Sequence, residues 1–330
     1  MRVGIVGAGV AGLAAARTLR SHGIPTVVFE KSRGLGGRAA TRRMGDYVVD
    51  HGATIVSPHG GELGRVMQEE LDTTDLIAID RPIYVHSQGR VTPVDPEHGK
   101  IERYCYRHGM NTLGKLLADG LDVRLETRIE RLETPPDGGF GLAGEFFDAV
   151  ILTPPLPQIE VMLAGTKHAR TFEGAHYRQC ISFLLGFAHP FEAKYHALLD
   201  PDQSEPLTWL SIETLKVPGC FRAPEGHTAV VAQMGARYSR YSMEKSDEEL
   251  LAETKPDIAR IMGKDFAEPA VAQVMRWKFS HVSNTLGYEA VNRPGSRLLI
   301  AGDGLIGARL HQAYDTGVRA ANQLVEERAK

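Results

Sequence analysis

The chain has 330 residues, enough for about two domains, and its 38 Lys and Arg against 41 Asp and Glu leave a formal net charge of -3, which gives no reason to expect a nucleic-acid partner. Three scattered cysteines, Cys105, Cys180 and Cys220, form no Cys-x-x-Cys pair; they argue against a disulfide framework or a zinc site and for a reducing compartment. The most apolar window, residues 3–19, holds four glycines and is shorter than the ~20 residues of a membrane span, and a first strand starting almost at Met1 leaves no room for a signal peptide, so the expectation is a cytoplasmic protein with no membrane span.

In chain order, residues 2–6 are a β-branched run, residues 7–12 (GAGVAG) a glycine turn, and residues 13–22 an alanine-rich helical stretch stopped by Gly23. Residues 26–29 form a second apolar strand ending at Glu30, which completes a βαβ unit. Then the pattern changes. Residues 47–50 read as a strand, 62–71 as a helix, 82–86 and 90–94 as a hairpin turning at 87–89, and 111–118 as a helix. Residues 123–126 and 129–133 read as short strands, 135–139 as a turn, and 147–152 as a buried strand stopped by Thr153-Pro154-Pro155. From 181 to 274 the reading is mostly strand (181–187, 207–212, 228–233, 270–274), interrupted by one amphipathic helix, 247–262, that Pro256 should kink or split. An apolar strand at 297–301, the loop Gly302-Asp303-Gly304 and a helix over 312–327 close the chain. The ends read as α/β and the middle as an antiparallel sheet, so a discontinuous nucleotide-binding domain should carry a substrate domain inserted in two pieces.

Gly7-Ala8-Gly9-Val10-Ala11-Gly12 matches G-x-G-x-x-G between a strand and a helix. Gly7 permits the tight turn, Gly9 the approach of a pyrophosphate, and Gly12 close packing of helix on sheet. The helix N-terminus offers unpaired N–H groups and partial positive charge to the phosphates. Glu30 follows Gly12 by 18 residues, at the end of the next strand, where a carboxylate accepts both hydroxyls of an adenosine ribose. A glutamate there opposes a 2′-phosphate, so the nucleotide should be FAD or NAD and not NADP.

An NAD enzyme needs nothing further, yet the chain continues Lys31-Ser32-Arg33-Gly34-Leu35-Gly36-Gly37-Arg38. A second glycine pair makes sense for a cofactor that is longer beyond its pyrophosphate. Gly36 and Gly37 let backbone N–H groups approach a diphosphate or ribityl chain, and Arg38 supplies a charge-assisted donor to a phosphate. Those are requirements of FAD.

The series G-x-G-x-x-G, an acid, then R-x-G-x-x-G-G-R resembles the two-glycine-motif flavoproteins, the broad family of amine oxidases, desaturases and protoporphyrinogen oxidases. Within it the chain looks most like the renalases and their bacterial relatives. Lys31–Arg38 and Asp50-His51-Gly52-Ala53 resemble the flavin-contacting segments, and Arg107-His108-Gly109-Met110 the pocket loop. Thr153-Pro154-Pro155-Leu156-Pro157 resembles a T-x-P-x-P after a strand of the FAD domain, and Tyr238-Ser239-Arg240 an aromatic-Ser-Arg segment. Residues 276–282 (RWKFSHV) resemble the segment returning to the flavin, and Gly302-Asp303 precedes the last helix as in the family. The implied fold is α/β (α+β overall): a Rossmann-like three-layer FAD domain (1–60, 108–165 and 282–330) with an inserted, mostly antiparallel β-sheet substrate domain (61–107 and 166–281). The implied cofactor contacts are Gly7, Gly9, Val10, Ala11, Gly12, Glu30, Lys31, Gly36, Gly37, Arg38, Gly52, Ala53, Thr153, Pro154, Gly302 and Asp303. Arg128 and Ile129 would begin a strand pairing with the adenine edge. Backbone N–H groups near His311, Gln312 and Ala313, where a helix opens, would face the N1–C2=O edge of the flavin ring, where negative charge develops on reduction.

The flavin carries the reactive atom, N5, so the protein's task is to place a substrate. The resemblance implies oxidation of the 2- and 6-dihydro isomers of NAD(P)H to NAD(P)+, with O2 as acceptor. Pocket candidates are His51, Thr54, Tyr106, Met110, Tyr238, Trp277, Lys278 and His281. Each has an ordinary alternative: Trp277 as packing, Met110 as core filler, His51 and His281 as hydrogen-bonded structural groups. Amine oxidases of this superfamily keep a lysine that holds a water near N5, and Lys278, which precedes the final segment, could be mistaken for it; it alternates with Trp277 along a strand, so only one of the two faces the flavin. After Gly52-Ala53 the renalase pattern usually continues Gln-Tyr-Phe; here it is Thr54-Ile55-Val56, which bears on the substrate and not on the flavin. Arg309 and His311 bring a guanidinium and an imidazole close to the expected flavin edge, which would favour an anionic substrate or a charged reduced flavin. The alternatives are a flavin amine oxidase, an oxidase of another small reduced metabolite, and a non-catalytic FAD-fold binding protein. The complete Gly36-Gly37-Arg38 and Gly302-Asp303 elements oppose the last.

Overall fold

The computed structural model describes residues 1–57, 61–87, 89–94 and 101–328. The β-branched run Val3–Val6 is buried throughout and pairs in parallel on both sides, with Ala149–Leu152 and with Thr26–Phe29. Leu298–Ile300 adds beyond Ala149–Leu152, and Asp122–Arg124 beyond Thr26–Phe29, to give a five-stranded parallel sheet. Parallel strands covered on both faces are apolar without interruption, which is why four of these five runs stand out in the sequence. The helix Val10–Ser21 leaves the glycine turn and buries its alanine-rich face. The closing helix Leu310–Arg328 crosses it so closely that a Cβ on Gly317 would lie 2.1 Å from the Ala11 carbonyl oxygen. A hairpin of Phe140–Leu142 and Glu145–Phe147 lies over Gly4, where a Cβ would come within 2.6 Å of Leu142.

The second sheet has seven strands, in the order Val271–Asn284, His176–Phe187, Thr228–Met234, Leu207–Ile212, Ala197–Leu199, Ile83–Ser87 and Arg90–Pro93. All neighbours are antiparallel except Ala197–Leu199 beside Ile83–Ser87. Side chains alternate across it. Phe183, Leu185 and Phe187 join Leu250, Ile258 and Met262 of the helix Asp247–Met262 in one core. Leu184, Ala229 and Val231 pack on Met44, Tyr47 and Val49 from the hairpin Thr41–Met44 and Tyr47–Asp50. That hairpin, which follows the second glycine cluster directly, ties the two sheets together. Among the described residues no helix is long and apolar enough to cross a membrane.

Several elements differ from expectation. Residues 129–133 form no strand; Glu133 makes only an isolated bridge with Gly141. After Asp122–Arg124 the chain turns at Glu126 (φ +54°), and the N–H groups of Glu126 and Thr127 donate to the carbonyls of Ser32 and Glu30, so Arg128 and Ile129 lie in a loop pinned to the end of Thr26–Phe29. The strand expected at 270–274 runs on to Asn284, and the one expected from 181 begins at His176. Residues 62–71 form the helix Glu62–Arg65 and then a wider π turn, Val66–Glu70. Of the turn expected at 87–89, Gln88 is outside the described residues. The helix Asp247–Met262 is not split at Pro256. Its buried positions Leu250, Thr254, Ile258 and Met262 keep a spacing of four across the proline, so packing holds both halves to one face. Its start is fixed by a reciprocal capping box, Ser246 with Glu249, worth about 1 kcal/mol.

Candidate active site

The two glycine clusters meet. Gly36 donates its N–H to the Ala8 carbonyl at 2.9 Å, and Gly9 and Gly36 form a parallel bridge. Gly37, at φ +58°, faces Gly9 so closely that a Cβ would lie 3.1 Å from the Gly9 Cα. Gly7 turns at φ +102° beneath Thr153, whose hydroxyl donates to the carbonyls of Val6 (2.8 Å) and Gly7 (3.2 Å), and Pro154 follows at once. A Cβ on Gly12 would strike the Gly7 carbonyl oxygen at 2.0 Å. The helix beginning at Val10, with Ala11 and Gly12 in its first turn, has Gly9 as N-cap and no side-chain cap; its first N–H groups lack intrahelical partners. Bare backbone on both walls and open N–H groups at the floor fit a pyrophosphate. Glu30 is buried at the end of the second strand, where its carboxylate accepts the Ala8 N–H (2.8 Å), the Ser32 N–H (2.9 Å) and the Ser32 hydroxyl. Lys31 is exposed and reaches Gln158.

Next along the crevice, Arg38 grips Asp303 through two parallel bonds of 2.6 and 2.7 Å. Burial opposes the Arg38 charge, but Asp303 beside it leaves the guanidinium's pKa raised. Asp303 follows Gly302 (φ +132°), whose N–H donates to Thr316 Oγ1 of the closing helix. At the opening of that helix Ala313 donates its N–H to the Arg309 carbonyl, and Gln312 Oε1 accepts the Arg309 N–H; His311 is half-buried.

The segment after Asp50 forms the adjoining wall. Gly52 presses on the Arg38 carbonyl, where a Cβ would sit at 2.0 Å, and Ala53 donates its N–H to the same oxygen at 2.9 Å. The Trp277 indole stacks on the His51 imidazole, with centroids 5.3 Å apart, and donates to the His51 carbonyl at 3.0 Å. Burial and the Arg42 charge push the His51 pKa down to about 4, against the opposing pull of Asp50, so the ring is neutral at physiological pH. Its Nδ1 and the Tyr106 hydroxyl are buried without a partner among the described residues.

Of the other expected pocket residues, Thr54, Tyr106 and Met110 are buried around Asp50, whose carboxylate accepts the Met110 N–H at 2.8 Å. Lys278 is exposed and alternates with Trp277, so Trp277 is the one turned to this wall. His281 lies on the same strand near Arg178, Arg309 and Asp303; burial and the two arginines lower its pKa. Tyr238 is elsewhere. It sits in the short helix Ala236–Ser242 and donates to Glu253 of the helix Asp247–Met262.

Sequence reasoning missed several contributors. Gln233 donates to the Gly52 carbonyl (2.8 Å) and Ser182 to the His51 carbonyl (3.1 Å). Around Asp50 stand Glu213, Lys216 and Arg222, all wholly buried. No local pattern marks them, because residues 50, 213, 216 and 222 meet only in the folded chain.

Residues 95–325, more than half of the chain, match the family described as flavin containing amine oxidoreductase, and residues 5–69 match the NAD(P)-binding Rossmann-like domain. Over 85 residues, 25% of the chain, it is 33% identical to a possible lysine-specific histone demethylase 1 of Drosophila melanogaster. Over 56 residues, 17% of the chain, it is 41% identical to a 4,4'-diapophytoene desaturase of Staphylococcus aureus (strain Newman). These stretches span 9% and 11% of those relatives. Among solved structures it is similar to a putative protoporphyrinogen oxidase from Exiguobacterium (TM-score 0.78, 15% identity, 99% of both chains covered). It is also similar to cyclohexylamine oxidase from Brevibacterium oxydans (TM-score 0.75, 15% identity, covering 100% of this chain and 99% of the other). At that identity the likeness establishes the fold. The chain belongs to the flavin-containing amine oxidoreductase family, and FAD is its cofactor.

Proposed function

We propose that this protein is a renalase-like oxidase that converts 2- and 6-dihydro isomers of NAD(P)H to NAD(P)+ with O2 as electron acceptor, a repair of misreduced cofactor. The observation that carries the reading is the wall formed by His51 and Trp277. Its imidazole has a pKa of about 4, too low for an efficient base at neutral pH, and Lys278 is exposed on the other side of the strand. An amine must lose a proton before it gives up hydride; a dihydronicotinamide needs no base. FAD, when bound, supplies N5 as hydride acceptor.

In this reading the facing glycines 9 and 37 admit the pyrophosphate, Glu30 meets the adenosine ribose, and the loop at Arg128 and Ile129 borders the adenine. Arg38, Asp303 and the opening of the closing helix border the ribityl chain and ring. Gly52, Ala53 and Trp277 shield the reacting face from water. Arg178, Arg309 and His281, on the same side as Asp303, would meet the phosphates of an anionic substrate. The same reading assigns residues 1–60, 108–165 and 282–330 to the FAD domain and 61–107 and 166–281 to the substrate domain, and places the protein in the cytoplasm.

Anaerobic mixing of the FAD-loaded protein with separate 2-, 4- and 6-dihydro-NAD isomers, and with a panel of amines, tests the reading. Rapid bleaching of the visible flavin band by the 2- and 6-isomers is expected. Bleaching by amines alone would make the protein an amine oxidase.

A further inference from the structure

Asp50, Glu213, Lys216 and Arg222 are 0, 0, 1 and 0% exposed. They lie where the hairpin ending at Asp50 meets the short helix Glu213–Lys216 that follows the strand Leu207–Ile212. Lys216 Nζ is 2.9 Å from Asp50 and 2.8 Å from Glu213; Arg222 is 2.9 Å from Asp50 and 3.3 Å from Glu213. Two cations face two anions, so the charge cancels. Desolvating four ions costs several kcal/mol each, and a buried set of this kind gains little over apolar side chains of the same volume. Stability alone therefore does not account for it.

The backbone groups it holds do. Lys216 donates to the Thr54 carbonyl at 2.8 Å, and Arg222 to the Tyr106 carbonyl at 2.7 Å. Asp50 accepts the Met110 N–H at 2.8 Å, and Glu213 accepts the Asp50 N–H at 3.2 Å. Apolar residues make no such bonds. Both segments so held, 50–54 and 106–110, carry candidate cofactor and pocket residues, and the first is gripped from its other side by Gln233 and by the Arg38 carbonyl. The three N–H donors of Lys216 have Asp50, Glu213 and Thr54 as acceptors, so this lysine has none left for a water or substrate.

We propose that the Asp50–Glu213–Lys216–Arg222 quartet is a positioning device, which sets segments 50–54 and 106–110 at the FAD crevice and thereby governs how tightly and in what orientation the flavin is held. It rests on FAD as cofactor and is independent of the substrate.

The charge-balanced double variant Glu213→Gln/Lys216→Met removes one ion of each sign and the tether to Thr54, and keeps the Asp50–Arg222 pair. It is compared with the wild type for melting temperature without FAD, FAD dissociation constant by fluorescence titration, and visible circular dichroism of the bound flavin. The expected result is a folded protein that binds FAD about tenfold or more weakly, the equivalent of ~1.4 kcal/mol, with an altered visible dichroism. A folded variant whose FAD affinity and flavin dichroism match the wild type, whatever its melting temperature, overturns the proposal. Thr41→Val provides the second arm should the double variant not fold. It removes a neutral hydroxyl that donates to Asp50 at 2.7 Å and accepts the Asn111 N–H at 3.1 Å, and leaves all four charges. A severalfold weaker FAD affinity is expected from the loss of a hydrogen bond to a charged group; unchanged affinity and dichroism overturn the proposal.

Discussion

His51 and His196 are neutral for the same reason: burial removes water from the charged ring, and each has a pKa of about 4 against an ordinary 6.5. In the unfolded chain both take up a proton as the pH falls below about 6.5, and in the fold they do so only near 4. The unfolded state then binds more protons across that window, so folding stability decreases as the pH is lowered through it and is unaffected above it. At about 1.4 kcal/mol per unit the effect is on the order of 3 kcal/mol for each ring. A melting-temperature series from neutral pH to about pH 4 should show a continuous fall, shallower in His51→Gln; a flat series would refute the assignment. Asp50 acts lower on the scale. Burial favours its neutral form, but Arg222 and Lys216 override that and hold its carboxyl well below the carboxylate range, so its contribution is complete above the ordinary carboxylate pKa and is lost progressively as the pH falls from there through the depressed value. The Glu213 carboxyl is raised, first by burial, with Asp50 adding and Lys216 and Arg222 opposing. Little of this was legible in the sequence. Asp50 stood in a recognisable motif, but Glu213 and Lys216, three apart after an apolar strand, carry no local signal and meet Asp50 only in the folded chain.

The long strand Val271–Asn284 shows what local pattern conveys and what it omits. Its first residues, VAQV, are apolar enough to read as strand, and the expectation stopped at 274. Beyond it Arg276, Lys278, Ser280 and His281 break the apolar alternation, because this half leaves the sheet's core and borders the crevice. The partner strand has the same asymmetry: its first residues, HYRQC, are polar or half-buried, and its last seven are buried. Glycine clusters, in contrast, are legible at any burial, since the backbone itself sets the requirement. Strand alternation makes a direct prediction for adjacent residues. Trp277→Phe loses the indole N–H bond to the His51 carbonyl, worth about 1 kcal/mol, and should lower kcat/KM for the best substrate about fivefold and alter the visible dichroism of bound flavin. Lys278→Ala, on the exposed face, should stay within about twofold, as surface changes generally do. A larger effect from the lysine would reverse the assignment of the two faces.

At the scale of the molecule, the two ends of the chain meet at one crevice. Val3–Val6 is the central strand and Leu298–Ile300 an edge of the same sheet, and the helices that follow them touch backbone to backbone at Ala11 and Gly317. The α/β reading of both ends made this closure legible as topology, but nothing around Gly317 marks it as a contact point. The contact matters for the site. Thr316, the residue before it, binds the Gly302 N–H at 2.8 Å, and Gly302 leads into Asp303, which holds Arg38. A side chain at 317 must push the closing helix away from the first helix, because the atom it meets is a carbonyl oxygen and not a flexible side chain. Gly317→Val should therefore destabilise the apoprotein by about 1–3 kcal/mol, as overpacking does. Displacing Thr316 should also loosen Asp303, so the variant should bind FAD more weakly and gain less thermal stability from saturating FAD than the wild type, since ligand stabilisation follows the ratio of ligand concentration to Kd. Melting curves at matched FAD concentrations separate the two effects: a lower apoprotein transition with an undiminished FAD increment would show that the helix contact supports the fold without reaching the crevice.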